Sequence, residues 1–302
     1  MAIEMIGRKL QDKWKSLLVA VPFFWLLIFF LIPFVIVFKI SLAESMIASP
    51  PFSSLLTWGE EGSLQIRLLS ENYAYLFEDD LYIRAYANSV KVALISTVVC
   101  LLIGYPMAYG IARANPTRRK ILLILIILPF WTSFLLRVYA WMGILADQGT
   151  LNNFLIWLGV IDEPIRMLYT QFAVYLGIVY SYLPFMILPL YANIEKLDWS
   201  LLEAAADLGA KPVATFFTVT VPMTMPGIIA GSLLVFIPAT GEYVIPDLLG
   251  GGNSLMIGKV LYNEFNSNHD WPVASAVAIA LLILLVLPMM LYQRYQSKQI
   301  QA

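Results

Sequence analysis

The sequence is poor in the residues that build soluble catalytic centres. Its one cysteine, Cys100, lies in an apolar run, so no disulfide can form within the chain and no cysteine-based metal site is available. That position reads as a small buried hydrophobe. The one histidine, His269, stands in a polar stretch, where a lone imidazole serves as a solvated or capping group and builds no zinc site. Charged residues make up 13% of the chain, against about 25% in soluble domains. A phosphate-binding G-x-x-x-x-G-K-[ST] loop is also missing. Gly250-Gly251-Gly252 is followed by Asn253, and Gly258-Lys259 lacks both the upstream glycine spacing and a following hydroxyl. The net charge of -1 gives no reason to expect nucleic acid as a partner.

What the chain has instead is apolar length. Hydrophobic residues reach 60% and the mean hydropathy is +0.77, more than a soluble core of this size uses, so lipid must be the missing solvent. A membrane helix needs about 20 apolar residues. Five uncharged runs qualify: Ser16–Phe38, Val92–Ala112, Met167–Ile194, Pro212–Gly241 and Trp271–Gln293. A sixth, Ile121–Ala146, is interrupted only by Arg137. The 212–241 run exceeds one span, so part of it must leave the bilayer core. The first run is too long for the apolar core of a signal peptide, about 7–15 residues, and is read as a retained helix.

Charge placement gives an orientation. Twelve of the 19 basic residues, including the clusters Arg8, Lys9, Lys13, Lys15 and Arg113, Arg118, Arg119, Lys120, fall on the side of the N-terminus. The positive-inside rule makes that side cytoplasmic, and six spans put both termini there. The expected fold is therefore all-α and integral to the membrane. Its segments are a cytoplasmic N-terminus (1–15), a first span (16–38), an outer segment (39–83), a core (84–294) and a cytoplasmic tail (295–302). Fourteen of the 20 acidic residues lie on the outer side, where they either favour approach of a cation or form an ordinary solvated surface. In the outer segment, Tyr73, Tyr75, Leu76 and Phe77 suggest packing at the interface. Leu151–Val160 reads as a short helix with Asn152 or Asn153 near its start.

The most informative stretch lies between spans four and five, from Asp198 to Pro212. Asp198 or Ser200 can cap a helix start. Leu201, Leu202, Ala204, Ala205, Ala206 and Leu208 favour a helix, Gly209 suits the left-handed residue that ends it, and Pro212 prevents continuation. Three consecutive alanines permit close approach of another surface, and Glu203 and Asp207 form an acidic edge one turn apart. Such a helix either docks on a partner protein or lies on lipid.

The pattern Glu203-Ala204-Ala205, three residues, Gly209, nine residues, Val219-x-Val221-Pro222 resembles the EAA loop of ABC importer permeases, the MetI-like family. There the pattern is E-A-A-x3-G-x9-I-x-L-P, and valines stand here for Ile and Leu. The resemblance runs from about Arg84 to Arg294. It takes in Asn88-Ser89, the Gly104–Tyr109 segment, the Leu128–Trp141 run and Gly241-Glu242-Tyr243-Val244-Ile245-Pro246-Asp247-Leu248-Leu249-Gly250-Gly251. The last two are most similar to polyamine (putrescine/spermidine) permeases.

The resemblance implies a short cytoplasmic coupling helix between spans four and five, with Glu203, Ala204, Ala205, Asp207, Gly209 and Pro222 carrying the coupling. It also implies a complex of this chain with a second permease subunit, two copies of an ABC ATPase and a periplasmic solute-binding protein. The chain itself would be no enzyme and bind no cofactor, ATP and Mg belonging to the ATPase.

Residues for a cationic substrate are sought near the outer side. Ionisable groups in a span are functional candidates. Glu242 ends the fifth run beside Tyr243, and Asp247 follows; breaks at Gly241 and Pro246 would let the two carboxylates converge. A carboxylate with aromatic neighbours suits an ammonium group. Trp131 and Trp141 sit near opposite ends of span three, as belt or pore residues. Arg137, near the outer end of that span, either snorkels or pairs with Asp147 or Glu242. Pro222, Pro226, Pro238, Gly227 and Gly231 are read as breaks in the fifth segment. Rival readings keep the architecture for another solute (iron(III), sulfate, an opine), or make the chain a secondary transporter or a membrane scaffold.

Overall fold

The computed structural model describes residues 18–58, 64–66 and 69–301. The basic cluster Arg8, Lys9, Lys13, Lys15 and the residues Glu60, Glu61 and Arg67 lie outside them. Apart from one antiparallel hairpin, β1 (Leu56–Trp58) with β2 (Leu64–Ile66), the regular elements are helical. The hairpin was not expected from the sequence.

Two compact units are present. One comprises the described residues before Asp80 together with those from Leu261 onward; the other runs from Asp80 to Val260. In the first, α1 (Leu18–Ser41) and α2 (Glu71–Glu78) both pack on α12 (Trp271–Gln301). The chain between α1 and α2 is pinned by polar contacts. Asn72 Nδ2 donates to the carbonyls of Ser41 and Ala43 at 2.9 and 2.8 Å, and the hydroxyls of Tyr73 and Ser41 meet at 2.7 Å. Leu76 is buried, whereas Phe77 is 77% exposed.

In the second unit three long helices pack mutually: α3 (Asp80–Arg113), α7 (Gln171–Ile194) and α9 (Pro212–Thr240). Their centre is apolar, with Cys100, Met186, Ile187, Leu190 and Val235 buried together. Between them come α4 (Pro116–Ile127), α5 (Phe134–Leu145), α6 (Thr150–Trp157) and α8 (Ser200–Asp207). After α9 follows α10 (Val244–Gly250), and α11 (Ile257–Asn266) begins in this unit and runs past its boundary at Val260. Asn152, fully buried, ties the 158–166 loop to α6 by donating to the Ile165 carbonyl at 2.9 Å and accepting from its N–H at 3.0 Å.

By length and composition α1, α3, α7 and α9 can each cross a membrane. A bent pair of helices supplies a fifth crossing if it is counted as one. The sixth apolar run falls in α12, whose apolar part among the described residues, Trp271–Val286, is shorter than a span.

Two expectations are corrected. The run 121–146 is not one helix. α4 passes into a 3-10 turn, Leu128–Trp131, then Thr132 and Ser133 adopt extended backbone, and the chain turns by 91° before continuing as α5 and α6. Pro129 and the two hydroxyl residues supply the cause, since none of them favours continuation of an α-helix. Arg137 therefore stands in the first turn of α5, and Trp131 and Trp141 do not mark the two ends of one helix.

The run 212–240, by contrast, is unbroken. Gly227 and Gly231 do not interrupt α9; they bring it onto α7. A Cβ at Gly231 would stand 2.8 Å from Met186 Sδ and 3.0 Å from the Met186 carbonyl oxygen, and one at Gly227 would stand 2.7 Å from Asn193 Cβ. Small residues are what let two helix backbones approach within a membrane. The prolines are absorbed locally. A π-turn, Phe216–Thr220, closes with the Val221 N–H on the Phe216 carbonyl, immediately before Pro222. In α1 the π-turn Leu27–Leu31 stands at the same offset before Pro33. A proline ring has no N–H and clashes with the carbonyl four residues back, and a widened turn relieves both defects.

Candidate functional site

α9 is 29 residues long, so its ends lie about 44 Å apart at ~1.5 Å per residue. The residues singled out from the sequence divide between those two ends.

At the N-terminal end stands α8. Asp198 Oδ1 accepts from the Ser200 N–H at 3.0 Å and starts the helix, and hydrogen bonds from Ser200 hold its carboxyl below the usual carboxylate range. The C-terminus closes by two bonds, Ala210 N–H to the Ala205 carbonyl and Gly209 N–H to the Ala206 carbonyl. Gly209 has φ +82°, the left-handed conformation such a closure demands. Lys211 then turns the chain, and Pro212 opens α9 at its first position. No residue of α8 is buried. Glu203, Ala204 and Asp207 are exposed, Ala205 is half-buried, and Leu208 is 89% exposed. Pro222 lies exposed just past the π-turn.

The base of α8 is nevertheless fixed. The Arg113 guanidinium sits over the rings of Tyr109 and Trp199, 5.7 and 5.3 Å from their centroids, and the two rings meet edge to face. This joins the residue preceding α8 to the end of α3. Arg119 joins α4 to both neighbours. It donates to the Ala112 carbonyl at 2.8 Å and pairs with Glu195 past the end of α7 at 2.8 Å. Sequence reasoning used Arg113 and Arg119 only as topology markers; the aromatic residues four positions apart or across a loop were the missed signal.

At the C-terminal end of α9 the chain turns at Gly241 into α10. Glu242 is buried, with 8% exposure. Its Oε2 accepts from the Tyr182 hydroxyl at 2.5 Å, and its Oε1 accepts from the N–H groups of Val244 and Ile245 at 3.0 and 3.4 Å. The side chain thus caps α10 and latches the turn to α7. A buried carboxylate is costly unless such donors surround it. Tyr182 was not foreseen: it lies in an apolar run sixty residues upstream, with no local pattern to mark it.

Asp247 behaves differently. It is half-exposed, and its Oδ1 pairs with Lys259 Nζ at 3.0 Å. The same Nζ donates to the Gly251 carbonyl at 3.0 Å. Glu242 and Asp247 are therefore committed to different partners. Tyr243 is exposed at 38%, one helical turn before Asp247 on the same face. Two polar residues of α3 brace the following strand of chain. Asn88 donates to the Leu255 carbonyl at 2.6 Å, and Ser89 Oγ accepts from Ile257 N–H at 2.7 Å.

The other candidates stand apart from this network. Trp131 is 78% exposed and Asp147 is exposed. Trp141 packs edge to face on Tyr180 with centroids 5.3 Å apart. Arg137 makes no ion pair with Asp147 or Glu242 among the described residues. Its guanidinium lies over Phe130 and Phe134, and its Nε is buried with no hydrogen-bond partner. A cavity of about 610 Å³ between α3, α4 and α7 is lined by Pro106, Met107, Leu122, Ile126, Tyr180 and Leu183 among others. With no charged side chain in its wall, it is unsuited to a cation.

An exposed capped helix at one end of a long span, and a turn locked by a buried carboxylate at the other, are joined here to a sequence pattern of known kind. A family model described as "Binding-protein-dependent transport system inner membrane component" matches residues 100–301. The chain belongs to that family.

Among relatives, the spermidine/putrescine transport system permease protein PotB of Haemophilus influenzae is 44% identical over 285 residues, 94% of this chain and 95% of that one. PotB of Escherichia coli is 46% identical over 242 residues, 80% and 88% of the two chains. Among solved structures, a bacterial ABC transporter involved in import of the acidic polysaccharide alginate superposes with a TM-score of 0.70. It is 17% identical and covers 98% of this chain and 99% of that one. The MetNI methionine ABC transporter gives 0.53 at 17% identity, over 75% of this chain and 97% of that one. The helical permease architecture is therefore shared. The chain is a multi-pass inner-membrane protein, and its relatives are transporter permease subunits.

Proposed function

We propose that this chain is a transmembrane subunit of a binding-protein-dependent importer that moves a polyamine, putrescine or spermidine, into the cytoplasm by ATP-driven alternating access. The observation that carries this reading is the 44% identity to a spermidine/putrescine permease over 94% of the chain. The geometry supports it. α8 offers an unburied, capped helix for an ATPase subunit to receive, with Glu203, Ala204, Ala205 and Asp207 on it and Gly209 closing it. The opposite end of α9 carries Asp247 and Tyr243, an acid and an aromatic ring on one helical face, suited to an alkyl ammonium.

In this reading the chain crosses the membrane six times with both termini in the cytoplasm. The bent α4–α5 segment forms the third crossing and α12 the sixth. It pairs with a second permease subunit, two ATPase copies hydrolyse ATP, and a periplasmic protein delivers the polyamine.

The test is reconstitution. The permease pair, ATPase and binding protein in proteoliposomes should take up labelled spermidine only when ATP is present on the ATPase side. Uptake by this chain in ATP-free liposomes would instead mark a secondary transporter. ATP-dependent uptake of another solute, with polyamines ignored, would keep the architecture and replace the cargo.

A further inference from the structure

The polyamine reading leaves one group without a role. Lys259 places a primary ammonium on the one half-exposed carboxylate of the α9–α11 turn. Its side chain is 18% exposed, while that of Asp247 is 51% exposed, so the carboxylate faces outward and the ammonium sits behind it. Lys259 Nζ forms an ion pair with Asp247 Oδ1 and donates to the Gly251 carbonyl, each at 3.0 Å. Gly251 has φ +62° and lies against the Tyr169 ring, a backbone conformation that turns its carbonyl toward this point and that other residues adopt only with strain. A carboxylate and a backbone carbonyl converging on one –CH2–NH3+ group, with the Tyr243 ring one turn away, make a small ammonium subsite that is already filled from within.

We propose that Lys259 is a tethered stand-in for the substrate. Its ammonium holds Asp247 when no polyamine is present, and a terminal ammonium of the polyamine takes its place during passage. The exchange at Asp247 is one alkylammonium for another, so the carboxylate stays paired, while the displaced Lys259 keeps the Gly251 carbonyl as an acceptor. Leaving the carboxylate bare would be the costly outcome. The stand-in also gives selectivity. A neutral or anionic solute has no means of releasing Lys259, whereas a diamine or triamine matches both its charge and its geometry. This inference rests on the polyamine reading.

The test is equilibrium binding of radiolabelled spermidine to the detergent-solubilised complex of permease pair and ATPase, with the uptake assay run beside it. Removing the stand-in by Lys259→Met should tighten binding about three-fold, and Asp247→Asn should weaken it about three-fold, on the scale of a partly exposed ion pair. Lys259→Arg should weaken binding, because a guanidinium grips a carboxylate through two parallel bonds and yields it less readily. The signature is the opposite sign of the two neutralising changes. A structural ion pair instead predicts that Lys259→Met and Asp247→Asn both lower thermal stability and move binding the same way, or not at all, and either result overturns the proposal. If Lys259→Met does not assemble, Lys259→Arg decides: unchanged binding refutes the stand-in. Wild-type complex that transports but ignores spermidine would sink the polyamine reading itself, which separates the two failures.

Discussion

At one end of α9 the chain leaves Ser200–Asp207 with no buried residue; at the other it buries Glu242 beneath three donors and braces the turn from α3 and α7. Both segments are short, both are bounded by glycine, and both carry two acids. The difference lies in where their polar groups find partners. α8 satisfies only its own ends, by Asp198 and by the Gly209 closure, and leaves Glu203 and Asp207 facing out. The Glu242 turn consumes its own carboxylate. A helix that leaves its side chains unpartnered is open to another protein, as the proposed coupling role requires, while the Glu242 turn is completed from inside.

The contrast can be broken most strongly at α8. Glu203→Arg reverses the acidic edge that an ATPase subunit would meet, and it should cut ATP-driven uptake at least about tenfold, equivalent to ~1.4 kcal/mol of lost docking. The permease should still insert and keep its melting temperature, because nothing buried is touched. A matching loss of stability would mean that α8 is structural.

Next comes the Glu242 latch. Glu242→Leu removes the acceptor for Tyr182, Val244 and Ile245, and should cost roughly 2–3 kcal/mol of stability in a thermal-shift measurement. Glu242→Gln keeps one acceptor oxygen and should cost less. If Glu242→Gln lowers polyamine uptake per folded complex, the carboxylate also meets substrate; if it lowers only stability, Glu242 is a cap and nothing more.

Gly231→Val tests the close approach of α9 to α7. The added side chain meets the Met186 backbone, so a loss of about 1–3 kcal/mol is expected from overpacking. Arg137→Met should be milder. It forfeits cation–π contacts worth about 0.5–1 kcal/mol and relieves a buried Nε that has no acceptor, so stability should move little. A large loss would reveal a partner for Arg137 outside this chain.

The smallest effect concerns acid. The Asp198 carboxyl titrates lower in the folded state than in the unfolded chain. Its stabilisation is thus present above the ordinary carboxylate pKa and fades as pH falls through the lowered folded value. Amide exchange at the start of α8, normalised to intrinsic rates, should rise there before it rises in α9.

What the sequence disclosed and what it hid follow the same division. The ends of α8 were legible because capping and closure are local: Asp198, Gly209 and Pro212 act within a few residues of themselves. Wherever partners are distant in sequence, pattern reading failed. Tyr182 is one tyrosine in an apolar run until α7 and α9 pack. The break at Thr132–Ser133 was hidden because every residue of Leu128–Trp141 except Arg137 is uncharged, so hydropathy stayed continuous across a 91° turn. Glycines in 212–241 were misread as breaks because the same residue serves chain bending and helix contact, and only the neighbouring helix tells which. Lys259 was counted as an outer basic residue; its meaning comes from a carboxylate twelve positions away.

The two widened turns before Pro33 and Pro222 set a rotational phase. Each takes up one extra residue in a single wide turn, which spares the rest of the helix the ~100° rotation that one more residue adds to a repeat of ~3.6. In α9 that offset falls between α8 and the Glu242 turn. The azimuth at which the carboxylate meets Tyr182 is thus indexed to the azimuth at which the chain emerges from Gly209. Winding Phe216–Thr220 as ordinary α-helix with all its residues kept would swing Gly227 and Gly231 off α7 by that same angle. The spacing between Gly209 and Pro222 acts as an angular gauge, machined into a rod that fixes how α8 at one end and the Glu242 turn at the other are aimed.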